Sequence, residues 1–416
     1  MSKETREKLI FTILILAVFA VGTSIPVAGV SKEALSQIFT NDNSGLFDLY
    51  NLFTGGSFQN FTLFALGVTP YITATIIVQL LTIAFPYFEN LSKEGETGRK
   101  KMTTITRFMT IVLALLQASG MTWGLFRQAV IDKTIFTSIV IVLTLTAGTT
   151  ILMWLGEQIN EYGVGNGMSL LIFAGIAMRL PSQVGTVVRL AKEGTLSWVA
   201  VALVVICAVA VVMGIIYVQG GIRKIPIQYA KRVIGRKQYG GESTHLPIKL
   251  NSSGVIPIIF AVSVLQLPLT MTFFFPNSAY SDFIGKYLSP NGSVGVWVYM
   301  VLNALLTIAF TFFYTGIVFK PEEISDNLRK NGGTIPAIRP GKPTEEYLKR
   351  TSYRMSWLDA LFLAAVATLP TLVGAFTPLD LSFGGTSLLI LVGVAMDTMQ
   401  QLKNRELMMV NRGFLQ

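Results

Sequence analysis

The chain has 416 residues, of which 51% are hydrophobic and only 13% are charged, and its formal net charge is +10. A soluble domain carries about 25% charged residues, so this composition excludes an ordinary soluble enzyme. With one cysteine, Cys207, and one histidine, His245, the chain cannot form an intrachain disulfide and has no residue set for a zinc or iron site.

Apolar runs of about 20 residues, the length that crosses a bilayer core, recur along the whole chain. They predict ten membrane spans, numbered one to ten: 9–30, 66–85, 105–127, 136–157, 167–187, 197–218, 254–275, 296–318, 355–375 and 383–401. The first run follows three basic residues, as in a signal peptide. However, it is long, and no cleavage site followed by a soluble domain appears, which favours a span.

The segments between spans alternate between two sides and differ in basic residues. One side holds 25 of the 33 lysines and arginines, the other holds five, and three lie near span ends. Because basic loops stay in the cytoplasm, both termini are predicted to be cytoplasmic. This arrangement explains the net charge without bound nucleic acid.

Three connecting segments have unusual compositions. Residues 44–65 lie on the outer side, are rich in aromatic residues and are interrupted by Gly55 and Gly56, which predicts a re-entrant or half-inserted helix. The basic segments 219–253 and 319–354 are longer than a link between two spans requires and predict ordered, solvent-facing hairpins. Their charge fits solvated faces or anionic lipids, at about 1 kcal/mol per basic residue, and their length also favours docking of a protein or a ribosome.

Two patterns each occur twice. Residues 67–80 and 254–267 are identical at seven of 14 positions, and residues 167–178 and 385–396 at eight of 12. In the predicted topology each pair runs in opposite directions, which indicates an inverted duplication. The two offsets, 187 and 218, place 31 extra residues in the second half, and the loop 319–354 is the obvious place for them.

An inverted repeat is also typical of ion-coupled secondary transporters, the main alternative. Such transporters carry ionisable residues near the membrane midplane, whereas Glu157, Asp359 and Asp397 all fall near span ends. An intramembrane hydrolase would need a buried catalytic constellation that the spans lack. There is no P-loop either, so a partner must supply the energy.

Long motifs in chain order resemble the SecY family, the channel subunit of the bacterial protein-export translocon. They include GVTPYITATIIVQLL from residue 67, LGEQINEYGVGNGMSLLIFAGI from residue 155 and HLPIKLNSSGVIPIIFA from residue 245. The resemblance covers essentially the whole chain. It implies an all-α polytopic membrane protein with ten transmembrane helices in two inverted five-helix halves, 1–187 and 188–416, which close like a clamshell around an hourglass pore.

The resemblance also implies a plug within residues 44–65 that seals the outer funnel. The plug residues would be Leu46, Phe47, Leu49, Tyr50, Leu52, Phe53, Gly55 and Gly56. It implies a constriction ring of aliphatic side chains: Val68, Ile72, Met168, Ile172, Ile259 and Ile390. The repeat supports four of the six, because Ile72 matches Ile259 and Ile172 matches Ile390. An apolar ring can exclude ions by dewetting and yield to a passing chain of any sequence.

A lateral gate is implied between spans two and three on one side and spans seven and eight on the other. The uncharged polar residues there would either bond across the closed gate or act as ordinary polar residues within their helices. They are Thr73, Thr75, Gln79, Gln117 and Gln266.

The basic loops would then be docking sites for the SecA motor ATPase and the ribosome. The docking residues would be Arg223, Lys224, Lys231, Arg232, Arg236, Lys237, Arg339 and Lys342. Arg339 matches the arginine that the family uses for motor coupling. The resemblance further implies SecE and SecG-type small subunits, signal-bearing preproteins as substrates and anionic lipids as neighbours. We therefore predict a passive protein-conducting channel in the bacterial plasma membrane, with no catalytic activity and no cofactor.

Overall fold

The computed structural model describes residues 3–41, 54–194, 197–229, 232–234, 237–239, 243–275, 278–288, 295–376 and 385–413. Helices dominate this part of the chain. In chain order they are α1 (Lys3–Gly22), α2 (Lys32–Asn41), α3 (Thr69–Ala84), α4 (Pro86–Lys93), α5 (Glu96–Gly120), α6 (Ile135–Tyr162), α7 (Gly167–Lys192), α8 (Trp198–Gln219), α9 (Ile256–Thr272), α10 (Ala279–Tyr287), α11 (Gly295–Val318), α12 (Pro321–Lys330), α13 (Lys342–Phe376) and α14 (Gly385–Gly413).

Each of the ten predicted spans overlaps one of these helices. By length and composition alone, four described helices are able to cross a membrane, or five if α3 and α4, which meet at a bend of 101°, form one span. Large apolar side chains are exposed on the outside of the bundle, among them Ile13, Leu143 and Met213 at 58%, 57% and 67%. A surface of this kind requires lipid or a partner against it.

Several helix ends differ from the prediction. Helix α1 ends at Gly22, because Pro26 and Gly29 interrupt the apolar run that predicted a span to residue 30. Helix α13 begins at Lys342, 13 residues before predicted span nine, because its first turns are rich in Glu, Lys and Arg, which favour helices. The segment 319–354 is therefore mostly helical, and its prediction as a hairpin was wrong.

The segment 219–253 does form hairpins, and it supplies most of the strands. These are β1 (Ile222–Tyr229), β2 (Arg232–Ile234), β3 (Lys237–Tyr239), β4 (Ser243–Lys249) and β5 (Gly333–Thr334). Strand β1 pairs with β4 along its length and with β5 at Gln228 and Tyr229, and all pairs are antiparallel. Because β5 lies in the segment 319–354, the two basic loops share one sheet, an arrangement that the sequence analysis missed.

A small apolar core holds the two loops together. It consists of Ile225, Ile248, Ile335, Leu348 and Met355, all at most 7% exposed. Strand β1 contributes Ile225 and Ile227 on its buried face and leaves Lys224, Pro226 and Gln228 exposed on the other. Alternation of this kind is the pattern of a strand with one face against a core. We call this unit, residues 222–249 and 319–355, the loop module.

The first sequence repeat has the same backbone geometry in both copies. Gly67 and Gly254 adopt the left-handed conformation, with φ of 57° and 64°. The following residues, Val68 and Val255, have φ of −92° and −90° and ψ of 0° and −6°, and a proline occupies the first turn of each helix. Glycine is needed at both positions because a side chain is strained at such φ.

Candidate functional site

A buried apolar cluster occupies the centre of the bundle, with contributions from α1, α3, α6, α7, α8, α9, α13 and α14. All six predicted ring residues belong to it. Their exposed fractions are 3% for Val68, 6% for Ile72, 7% for Met168, 2% for Ile172, 5% for Ile259 and 0% for Ile390. The structure therefore brings together side chains from α3, α7, α9 and α14 that are up to 322 positions apart in the chain.

Helix starts position several of these side chains. The turn at Gly67 places Val68 at the N-cap of α3, and Ile72 follows one helical turn later, with its N–H bonded to the Val68 carbonyl at 3.1 Å. The turn at Gly254 places Ile259 in the same way, with its N–H bonded to the Val255 carbonyl at 3.3 Å. Residues four positions apart lie on the same face of a helix. Val68 and Ile72 therefore both face the cluster, as do Val255 and Ile259.

Met168 differs from the other five because its side chain also fills space between two helices. A Cβ atom at Gly156 of α6 would overlap the Met168 sulfur, so the thioether lies directly on the glycine. The unbranched, polarizable side chain of methionine suits such an irregular gap. Met168 therefore packs α7 against α6 as well as contributing to the cluster.

The predicted gate residues lie on helices that do meet, since α9 packs against α3 and α5. Thr75 donates its hydroxyl to the Tyr71 carbonyl of its own helix at 2.9 Å, so it behaves as an ordinary helical threonine. Buried polar atoms of three others, Thr73 Oγ1, Gln79 Oε1 and Gln266 Nε2, have no hydrogen-bond partner among the described residues. Gln117 is 6% exposed.

The contact between α5 and α9 extends to an aromatic cluster that the sequence analysis missed. Phe273, which follows α9, stacks on Phe58 with ring centroids 6.2 Å apart. Phe126 meets Phe58 and Phe61 edge to face, at 5.6 and 4.7 Å. All four rings are at most 5% exposed. We call this group the aromatic lock.

Two glycines, one at the end of α5 and one in the turn that follows it, let the C-terminal end of α9 approach closely at the aromatic lock. A Cβ atom at Gly124 would overlap the carbonyl oxygen of Phe273, and one at Gly120 would lie 2.7 Å from the Phe274 ring. Between and beyond them, residues Met121–Leu125 form a π-helical turn, a deviation that is frequent at functional sites. The spacing of Gly120 and Gly124 is the small-xxx-small signal of close helix packing, and it would have pointed to this contact.

Most of the predicted plug lies outside the described residues, which resume at Thr54. Residues 54–66 form successive tight turns, so this part is not the helix that was predicted for residues 44–65. Gly55 and Gly56 have φ of 64° and 89°. A Cβ atom at Gly55 would lie 2.8 Å from the Cα of Gly175, so the chain passes directly over α7.

The predicted docking residues are divided among several places. Arg223 and Lys224 are exposed on β1, and Arg339 and Lys342 are exposed three positions apart, near the start of α13. Arg232 and Lys237 belong to β2 and β3, whereas Lys231 and Arg236 lie outside the described residues. Because β1 pairs with β5, the basic residues of segment 222–229 and those that follow β5 belong to the same loop module.

The acidic residues near span ends have different environments. Glu157 of α6 pairs with Arg107 of α5, with Oε1 2.7 Å from Nε. Asp359 of α13 is 1% exposed and accepts the hydroxyl of Ser253 at 3.1 Å. Groups of three or more His, Cys, Asp or Glu that could hold a metal ion do not occur in the part of the chain that the structure covers.

Comparison with known proteins identifies the family. The SecY family profile matches residues 62–399. The protein translocase subunit SecY of Bacillus subtilis is 44% identical over 424 residues, which cover 99% of this chain and 97% of the relative.

Solved structures agree on the fold. A protein-conducting channel superposes with a TM-score of 0.73 at 20% identity, covering 97% of this chain and 93% of that one. Sec61 in the canine ribosome–channel complex of the endoplasmic reticulum gives 0.69 at 19% identity, with coverage of 97% and 93%. The predicted fold class and channel function are confirmed, the ten-span count fits the family, and the transporter alternative finds no support. The chain belongs to the SecY family of protein translocation channels.

Proposed function

We propose that this chain passes unfolded, signal-bearing preproteins across the bacterial plasma membrane and releases hydrophobic segments sideways into the lipid. Both termini face the cytoplasm in this proposal, since 25 of the 33 basic residues fall on their side of the predicted topology. The channel is passive and has no catalytic activity of its own. A partner therefore supplies the energy.

The observation that carries the proposal is the convergence of the six predicted ring residues in one buried cluster. We assign Val68, Ile72, Met168, Ile172, Ile259 and Ile390 to a gasket around the translocating chain. Aliphatic side chains make no directional bonds, so they can part around any sequence, and they repel water and ions when they close again. The duplicated positions supply two residues from each of the proposed halves, 1–187 and 188–416.

The proposed plug comprises residues 46–53, which lie outside the described residues, together with Gly55 and Gly56, and its proposed role is to seal the outer side of the gasket. The contact of Gly55 with α7 supports this position, because α7 also carries Met168 and Ile172. The lateral gate separates α3 and α5 from α9 and α11. Thr73 and Gln79 of α3 and Gln266 of α9 bury polar atoms that have no partner among the described residues, which costs stability and favours helices that can separate.

Partner docking is assigned to the loop module. Its exposed basic residues Arg223, Lys224, Arg339 and Lys342 suit acidic protein surfaces, ribosomal RNA and anionic lipid headgroups. We propose SecA and the ribosome as alternating partners, and SecE and SecG-type subunits as companions in the membrane. The structural likeness to Sec61 from a ribosome–channel complex supports the ribosome as a partner.

Reconstitution tests the proposal. The full chain is placed in liposomes with SecE, and SecA, ATP and a signal-bearing preprotein are added outside. We expect protease-protected preprotein that depends on both ATP and the signal sequence. Uptake of a small ion or solute driven by a gradient, with no preprotein import, would contradict the proposal.

A further inference from the structure

The N-terminal end of α9 is held by side chains that lie outside the helix. At its N-cap, Val255 makes no side-chain hydrogen bond, and Pro257 in the first turn has no N–H. Instead, Asn251 Oδ1 accepts the N–H of Gly254 at 2.6 Å. The hydroxyl of Ser253 lies 3.1 Å from Asp359 Oδ2, which ties this end of α9 to α13 across 106 residues of sequence.

This contact is fully buried. Ser253 is 2% exposed, Asn251 6% and Asp359 1%. The second carboxylate oxygen, Asp359 Oδ1, and the amide nitrogen, Asn251 Nδ2, have no hydrogen-bond partner among the described residues. A buried carboxylate with a single hydroxyl donor is costly, and an apolar residue would serve packing better. A buried polar group that is left without a partner calls for a functional explanation.

Asp359 contacts the start of α9 through Ser253, the residue two positions before its N-cap. The first N–H groups of a helix lack internal acceptors and carry partial positive charge, so a carboxylate near them is favourable. Gly254, with φ of 64° and no side chain, turns the backbone into the helix, and a Cβ atom there would lie 3.4 Å from Asp397 Oδ2, so a second carboxylate also approaches this end of α9. Asp359 thus acts on α9 through the Ser253 hydroxyl.

We propose that Asp359 is a positioning residue that anchors the N-terminal end of α9 to α13. With this end tied to α13, α9 keeps a fixed position relative to α13 when it parts from α3 and α5. Helix α11 packs along both α9 and α13, so the anchor also holds the gate helix in register with that pair. The inference rests on the proposed gate.

The test measures how strictly the channel requires a signal sequence. The full chain is reconstituted with SecE and SecA, and import is compared for a preprotein and for the same preprotein with a charged residue in its signal core. Ser253→Ala removes the donor, and we expect the ratio of defective to intact import to rise roughly fivefold, the effect of losing one buried hydrogen bond. Ser253→Thr keeps the hydroxyl and should retain the wild-type ratio.

A second variant distinguishes a specific interaction between Ser253 and Asp359 from a general loss of stability of the channel. Asp359→Asn keeps the shape but removes the charge, and we expect Ser253→Ala with Asp359→Asn to change the ratio no more than the larger single change. Multiplying effects, or equal ratios for Ser253→Ala and Ser253→Thr, would overturn the anchor. If Asp359→Asn fails to assemble, the two Ser253 variants decide. Failure of the wild-type chain to import the intact preprotein would instead refute the proposed function.

Discussion

The ring of Phe273 stacks on the ring of Phe58, with centroids 6.2 Å apart and planes inclined by 23°. Phe273 follows the gate helix α9, and Phe58 belongs to the segment that joins the proposed plug to α3. One contact therefore links the two elements that the proposed function requires to move. We expect a disturbance of either element to reach the other through this pair.

Phe273→Ala tests the link. Loss of the ring should free the end of α9 and raise import of a signal-defective preprotein about fivefold, since a buried aromatic pair contributes about 1 kcal/mol. Phe275→Ala is the matched control, because Phe275 is 60% exposed. Equal import of the signal-defective preprotein by Phe273→Ala and Phe275→Ala would exclude a role of the aromatic lock in gating.

Gly124→Ala tests the close approach of α5 and α9 at the lock. The added methyl group would meet the Phe273 carbonyl, so the helices must move apart and the gate should open more readily. We expect higher ion conductance of resting proteoliposomes, measured by membrane-potential dye. Gly316→Ala adds the same methyl group to α11 where nothing lies within 4 Å, and it should conduct as the wild type does. An unchanged conductance for Gly124→Ala would refute the contact as a seal.

Ile72→Asn and Ile390→Asn test the gasket. A polar side chain holds water in the constriction, so ion leak should rise and the signal requirement should relax. The control is Ile141→Asn, an equally buried isoleucine in a different apolar cluster. We expect Ile141→Asn to lower thermal stability without raising the leak. A leak for all three variants would mean that general unfolding, not the gasket, is being measured.

Ile225→Ala tests whether the two basic loops depend on their common core. Deletion of a buried isoleucine destabilises a core by about 2–5 kcal/mol, so both loops should become protease-sensitive together. Ile222→Ala on the same strand is the control, because Ile222 is 45% exposed. Cleavage confined to residues 222–249 would show that the second loop is stable alone.

Arg339→Glu tests motor docking. Reversal of an exposed charge at a protein interface should lower SecA-driven import at least tenfold if the arginine makes a charged hydrogen bond, worth about 1.5–3 kcal/mol. Lys286→Glu on α10, on the opposite predicted side, reverses an exposed charge of the same sign and should leave import unchanged. Loss of import in both variants would point to net charge rather than to a docking residue.

The sequence predicted the spanning helices well because a bilayer demands long apolar runs, and such runs are visible without any partner. The helix ends were predicted less accurately, as at α13, because the polar residues 342–354 give no apolar signal although they belong to the helix. The six residues proposed for the ring were inferred from family motifs, and repeat symmetry supported four of them. The aromatic lock did not, since its rings come from four separate segments and only folding brings them together. The same holds for Ser253 and Asp359, 106 residues apart.

The sheet shared by the two basic loops has a mechanical consequence. Strand β1 follows directly from α8, β4 leads into α9, and β5 lies between α12 and α13. A load applied to this sheet therefore reaches the adjoining ends of α8 and α9 directly, and that of α13 through β5. We expect a force on either basic loop to be shared by the ends of these three helices rather than borne by one of them.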